Sequence, residues 1–316
     1  MKKILLAALA FGALVSCSKE ELISESRQAI EFGNAFVDNS TRATSAIDPS
    51  LNATTLTQFN VWGAINAIDG YLPIFAGEKV SGTVGEGSVW NCTKTQYWVE
   101  DAMYNFAGLV NAGNVELGED KLPATVAFEL TTGEVDLLYA RSKENIVGKA
   151  TGNELVLMTF NHLLSKVKFT VNNNSTAANE YSFLVKNIKI TGPTSGTCTV
   201  ADKTWATTDG EFTGFSTISV AGGAASAECN KELLLIPGSV KVSFTVDIIY
   251  SGKTIASPNY STTVNQTLTV GYAYNFVINV SVGQPIQFTV TSAPTWGNGN
   301  TAPETGDKTY VPLVVE

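Results

Sequence analysis

Few side chains in this sequence could take part in covalent chemistry, and the clearest candidate stands near the amino terminus. Leu14-Val15-Ser16-Cys17 has the order of a lipobox, at which the cysteine is diacylated, the preceding segment removed and the new amino terminus acylated. Before it, two lysines lead into an apolar run from Ile4 to Val15, the layout of a secretory signal. That run is too short to span a bilayer, which takes about 20 apolar residues. Residues 1–16 are therefore expected to be a lipoprotein signal peptide and Cys17 the lipidated residue; an ordinary signal with a cysteine in its cleavage region is the alternative. Two or three acyl chains of the palmitate type, at about 0.8 kcal/mol per buried methylene, would tether the precursor firmly.

The remaining reactive side chains do not assemble into a catalytic pattern. His162 is the sole histidine, so any Ser-His-Asp or Cys-His site would have to use it; a hydrogen-bonded structural histidine is expected instead. Cys92, Cys198 and Cys229 show no Cys-x-x-Cys spacing and no nearby histidine, which argues against zinc. Cys198 and Cys229 could pair if their strands are adjacent, or all three could be buried free thiols. Glu119 and Asp120, with Glu134 and Asp136 further on, lack the alternating spacing of a calcium loop and read as solvated loop charge. Trp62, Trp90, Trp98, Trp205 and Trp296 are scattered over five segments and read as core anchors; only Trp90 and Trp98 are close enough to suggest a binding pair. No catalytic residue, metal ligand or cofactor site is expected. An enzyme is the weakest reading, and a paired-carboxylate glycosidase the form it would take.

The elements that hold these residues are strands. Runs such as residues 55–65, 154–160, 165–171, 181–192, 240–250 and 285–290 are β-branched or aromatic and bounded by Gly, Pro, Asn and Ser. In residues 240–250, Val240, Val242, Phe244, Val246 and Ile248 fall on one face and Lys241, Ser243, Thr245 and Asp247 on the other, as in a half-buried strand. Helix signals are nearly absent after the signal, so the fold class expected is all-β, with antiparallel sandwiches. At 316 residues the chain has room for two domains, and 44% hydrophobic residues can fill a core in each. The polar run at residues 170–181 suggests a division near residue 165, giving domains over 43–165 and 166–300.

Charge excludes one class of partner. A net charge of −9 and a pI near 4.8 leave no basic footprint for nucleic acid. Only 16% of residues are charged, with Thr, Ser, Asn and Gly in their place, a composition that suits an extracellular β protein.

Two segments at the ends stand out. Residues 28–38 read as a strand with Ile30, Phe32 and Phe36 on one face, followed by a polar turn that contains Arg42-Ala43. If buried, those three side chains would contribute about 1.5 to 3 kcal/mol each. At the other end, residues 297–308 read as linker, and residues 309–316 place Val311, Leu313 and Val315 on one face. On spacing alone, Arg42 could equally be a loop arginine between permanent strands, with residues 309–316 the last strand of their own domain.

Five stretches, residues 59–65, 97–109, 135–140, 160–171 and 233–238, together with the closing residues 288–299 and their Trp296, occur in the order expected of fimbrillins. The Asp-Leu-Leu strand followed by His-x-Leu-Ser-Lys-Val is the most specific part of the match. The sequence departs from the pattern at residues 268–274, where the tryptophan often seen before the Gly-x-x-Tyr turn is missing. Fimbrillins are the subunits of type V pili, made as lipoproteins by anaerobic Gram-negative bacteria. The resemblance implies two transthyretin-like β-sandwich domains in tandem. It also implies a propeptide, residues 17–42, whose strand is displaced after an arginine-specific protease cuts between Arg42 and Ala43. Residues 301–316 would then supply the linker and donor strand that fills the vacated groove of another copy or a related pilin.

On this reading the precursor sits in the outer membrane through its lipid, and the mature form in a pilus that meets an adhesion receptor on host or bacterial cells. Possession of both a cleavage site and a C-terminal strand implies a stalk subunit; a tip subunit would lack the donor tail and an anchor would keep its first strand. The alternative is a surface lipoprotein that binds glycans or host proteins without polymerising.

Overall fold

The computed structural model describes residues 27–37, 56–83, 89–176, 178–264, 266–293 and 309–311; for 34–37, 293 and 309–311 it describes the backbone alone. Cys17, Arg42, Ala43, Trp296, Leu313 and Val315 lie outside the described residues, as do the side chains of Phe36 and Val311.

Among the described residues the chain is all-β, without a helix. The strands run in order β1 (Phe32–Val37), β2 (Gln58–Ala67), β3 (Gly70–Ser81), β4 (Val89–Cys92), β5 (Met103–Val110), β6 (Val115–Leu117), β7 (Pro123–Glu129), β8 (Leu138–Arg141), β9 (Ile146–Val147), β10 (Val156–His162) and β11 (Ser165–Asn173). They continue with β12 (Tyr181–Thr199), β13 (Thr204–Phe212), β14 (Ile218–Val220), β15 (Ser226–Glu228), β16 (Leu233–Leu235), β17 (Lys241–Tyr250), β18 (Lys253–Ala256), β19 (Asn259–Thr263), β20 (Ala273–Val280), β21 (Ile286–Ala293) and β22 (Thr309–Val311).

The first sheet runs β2-β3-β4-β1-β10-β8-β5 and then returns, because β5 also pairs with β2. Its pairings thus close into a ring, which leaves no strand edge along that circuit. Aromatic side chains fill the interior: Phe32, Phe59, Phe75, Phe106 and Phe160 are completely or almost completely buried, with Trp90 among them. Gly63 makes room for them, since a Cβ there would lie 2.7 Å from a ring carbon of Phe106.

The second sheet, β15-β11-β20-β21-β22 with β16 on β11, packs against the third, β18-β17-β12-β7-β6 with β13, β14 and β19 attached. Phe169, Phe276 and Phe288 from one side meet Phe183, Val242 and Phe244 from the other in a single core. Strand β17 carries the expected apolar face, with Val242, Phe244, Val246 and Ile248, and Val240 just before it, all buried. Its other face differs from expectation, because Thr245 and Asp247 are buried as well. They are covered by polar partners: Asn259 faces Thr245 at 2.7 Å, while Lys186, at 2.6 Å, and Ser257 both bond Asp247.

Strand β12 links the parts. Residues Tyr181–Thr191 pair with β17, whereas Ser195–Thr199 pair with β7, a strand from the N-terminal half. A third cluster forms where the outer faces of β2, β5 and β8, through Trp62, Leu109 and Tyr139, meet Leu122, Val126 and Cys198. The third sheet therefore crosses the division expected near residue 165, which itself falls between β10 and β11.

Candidate functional site

The strand β1 and the slot that holds it form the site to which the sequence pointed. Local pattern explains why β1 enters the ring: Ile30 and Phe32, two residues apart, are 4% and 0% exposed, while Glu31 between them is exposed. Phe32 packs edge-on against three rings, Phe59, Phe75 and Phe106, with centroids 6.0, 5.7 and 5.8 Å away. At about 1.5 to 3 kcal/mol each, these two side chains contribute roughly 3 to 6 kcal/mol of gross burial energy.

Both edges of β1 are in use. It runs parallel to β10, with Phe32 level with Val156, and antiparallel to β4, with Phe32 level with Trp90. Just upstream, Trp98 N donates to Gln28 O at 3.0 Å, Ile30 N to Gln96 O at 2.8 Å and Val156 N to Glu31 O at 2.9 Å. The entry is clamped by Gln28 and Asn153. Gln28 Nε2 donates to Asn153 O at 2.8 Å, and Asn153 N and Nδ2 return bonds to Gln28 Oε1 at 2.7 and 3.1 Å.

Period two does not persist along β1. The register shifts between Gly33, level with Leu157, and Phe36, level with Thr159, so the uniform alternation that grouped Phe36 with Ile30 and Phe32 is interrupted. Gly33 sits where a Cβ would come within 2.5 Å of Leu155 Cδ1 and 2.9 Å of its Cβ, so the leucine occupies the space a side chain would need. An isolated glycine within a strand pattern is the sequence signal for such a bulge. The Gln28–Asn153 clamp has no sequence signal, since its partners are 125 residues apart.

The geometry defines what losing β1 would do. The ring would open between β4 and β10, exposing Trp90, Val156 and the interior rings and leaving backbone donors and acceptors unpaired on both lips. Three arginines could be cut by an arginine-specific protease: Arg27, Arg42 and Arg141. Arg141 ends β8, is paired through its backbone with Ala107 and bonds Asp120 at 3.1 Å, an ordered setting that resists cleavage. Arg27 is exposed but precedes Gln28, so a cut there leaves β1 in place. Arg42 falls between the end of β1 and the start of β2, the interval in which a cut detaches β1 from the rest of the chain.

At the far end, β22 lies along β21 as the last strand of the second sheet, with Val311 level with Ile286 and Thr309 level with Phe288. In the single chain the start of the expected donor segment is thus paired with its own sheet. It is not brought to the β1 slot.

The other candidates take structural positions. His162 Nδ1 lies 2.6 Å from Asp136 Oδ2, and both side chains are largely buried. Glu134 pairs with Lys231, and Asp120 with Arg141, so the acidic residues do not converge. No cluster of metal ligands occurs among the described residues. Cys92, Cys198 and Cys229 are free thiols; burial pushes Cys198 up to about 12, so it remains a thiol. Trp62, Trp90 and Trp98 are core residues, and the Trp205 indole donates to Leu163 O at 3.1 Å. Trp90 and Trp98 do belong together: both line the core around β1.

Comparison with known proteins places these features in a family. A family model described as fimbrillin-like matches residues 41–294, a span that begins after β1 and ends before β22. A fimbrial protein from Bacteroides vulgatus shares 15% identity and superposes with a TM-score of 0.58, covering 84% of this chain and 98% of its own. A putative cell adhesion protein from Bacteroides uniformis, also 15% identical, gives 0.52 over 86% of this chain and 98% of its own. Both likenesses are of fold. A search of curated proteins finds no match.

Proposed function

The chain belongs to the fimbrillin-like family, and from that premise we propose that it is a structural subunit of a type V pilus that polymerises by exchange of β1 for a strand of another copy. The observation that carries this reading is the position of β1 between β4 and β10, paired on both sides, with Phe32 and the Ile30 just before it buried. A strand so placed cannot leave without creating an apolar, two-edged groove that only another strand can fill.

In this reading the precursor is exported, lipidated at Cys17 and held at the outer membrane, and an arginine-specific protease then cuts between Arg42 and Ala43. The C-terminal segment of a neighbour, with Val311, Leu313 and Val315, enters the vacated slot, and the irreversible cut gives the exchange its direction. Possession of both the cut site and the donor tail makes the protein a stalk subunit, and the filament presents it to a host or bacterial surface. The protein acts by assembly and adhesion, with no enzymatic step and no cofactor.

A second reading is favoured by one observation, the pairing of β22 with β21 of the same chain. There the tail is a permanent strand and the protein a non-polymerising surface lipoprotein. Cleaving the intact chain beside one lacking residues 309–316 separates the two. The pilin reading expects the intact chain to polymerise and the truncated one to stay a folded monomer, the second reading expects both to stay monomeric, and filaments formed by the truncated chain would overturn the donor assignment.

A further inference from the structure

The slot around β1 contains two buried polar groups that β1 does not serve. The indole N–H groups of Trp90 and Trp98, residues 1% and 3% exposed, meet no acceptor among the described residues. The two tryptophans flank the buried stretch from Ile30 to Phe32 that leads into β1, one at each end. Trp90 stands level with Phe32, and Trp98 is joined through its backbone N to Gln28 O. Between them the chain buries the hydrocarbon of Ile30 and Phe32, while the amide of Gln28 is already taken up by Asn153. A buried donor without an acceptor is costly, and native structures leave few of them without a reason.

We propose that the Trp98 indole is a specificity-determining group that selects the replacement strand, and that its acceptor is the Thr309 hydroxyl of a second copy of this chain. The inference rests on the strand-exchange reading above. A strand running as β1 does, with Val311 in the place of Ile30 and Leu313 in that of Phe32, brings Thr309 to the level of Gln28 and hence to Trp98. Among Thr309, Val311, Leu313 and Val315, which share one face at period two, Thr309 alone carries a hydrogen-bonding side chain. The displaced strand is thereby distinguished from its replacement by one hydrogen bond as well as by shape.

The test uses the full-length precursor with Trp98 replaced by β-(3-benzothienyl)alanine, which keeps the shape of indole and puts sulfur in place of N–H. It is compared with Thr309→Val, with both changes together, and with the same analogue at position 90. Multimer formation is timed after arginine-specific cleavage. Each single change at 98 or 309 is expected to slow assembly about three- to tenfold, the worth of one buried hydrogen bond. The double change should be no slower than either alone, and the melting temperature of the uncleaved precursor with the analogue at 98 should not fall. The analogue at 90 should show no such coupling to position 309. Unchanged rates, effects that multiply in the double variant, or coupling to position 90 in place of 98 would overturn the assignment. If the unsubstituted precursor is cut and stays monomeric, the strand-exchange reading itself fails and takes this inference with it.

Discussion

Phe32 of β1 stands level with Trp90 of β4 across an antiparallel pair, and the two are 0% and 1% exposed. They contact a shared ring: Phe59 lies 6.0 Å from Phe32 and 5.5 Å from Trp90. Consequently β1 is part of the hydrophobic core of the ring, and the fate of that core depends on a segment joined to the rest of the chain by the residues around Arg42.

Replacing Phe32 with Ala is expected to cost the uncleaved precursor about 3 to 5 kcal/mol, as for other buried phenylalanines whose cavity cannot collapse. Urea unfolding of the precursor measures it. In the mature, assembled form, from which β1 is absent on the proposed reading, the same substitution has nothing left to act on, so multimer stability is unchanged.

Gly33→Ala tests the notch beside Leu155. A methyl group there meets both the tip and the Cβ of Leu155, so the precursor should lose about 1 to 3 kcal/mol by overpacking. Adding Leu155→Ala removes the obstruction, and the two changes together should cost less than the sum of their separate effects. An additive result would mean that β1 does not seat against Leu155.

The acid sensitivity of the second and third sheets should trace in part to Asp247. Burial alone would raise its carboxyl, but the hydrogen bonds from Lys186 and Ser257 and the Lys186 charge outweigh this and hold it below the usual carboxylate value. Such a group stabilises the fold fully above the unfolded value, near pH 4. Its contribution is lost as pH falls through the lower folded value. Asp247→Asn should therefore reduce stability at neutral pH and flatten its decline below about pH 4, as read from urea midpoints.

Much of this fold was legible in the sequence wherever one face of a strand is buried and the other is not. The alternation in β20 is direct, and it follows from the two-layer packing of the second and third sheets, whereas in β17 the apolar face was legible and the burial of Thr245 and Asp247 opposite it was not. Strand β3 escaped because two register shifts against β2, at Val61/Trp62 and Gly63/Ala64, break its period. The ring was not legible either: closure depends on β5 meeting β2 and on β1 lying parallel to β10, pairings that no local pattern encodes. At the site, Ile30 and Phe32 could be read from spacing, whereas Asn153 and Leu155 enter only through tertiary contact. Cys17 and Arg42 remain readings of motif and position.

The central claim is tested most directly by digesting the full-length precursor with an arginine-specific protease, then measuring intact mass and running an unboiled denaturing gel. The account predicts a cut between Arg42 and Ala43 and a ladder of stable multimers that collapses on boiling. Resistance at Arg42, or a clean cut that leaves a stable monomer, would contradict it.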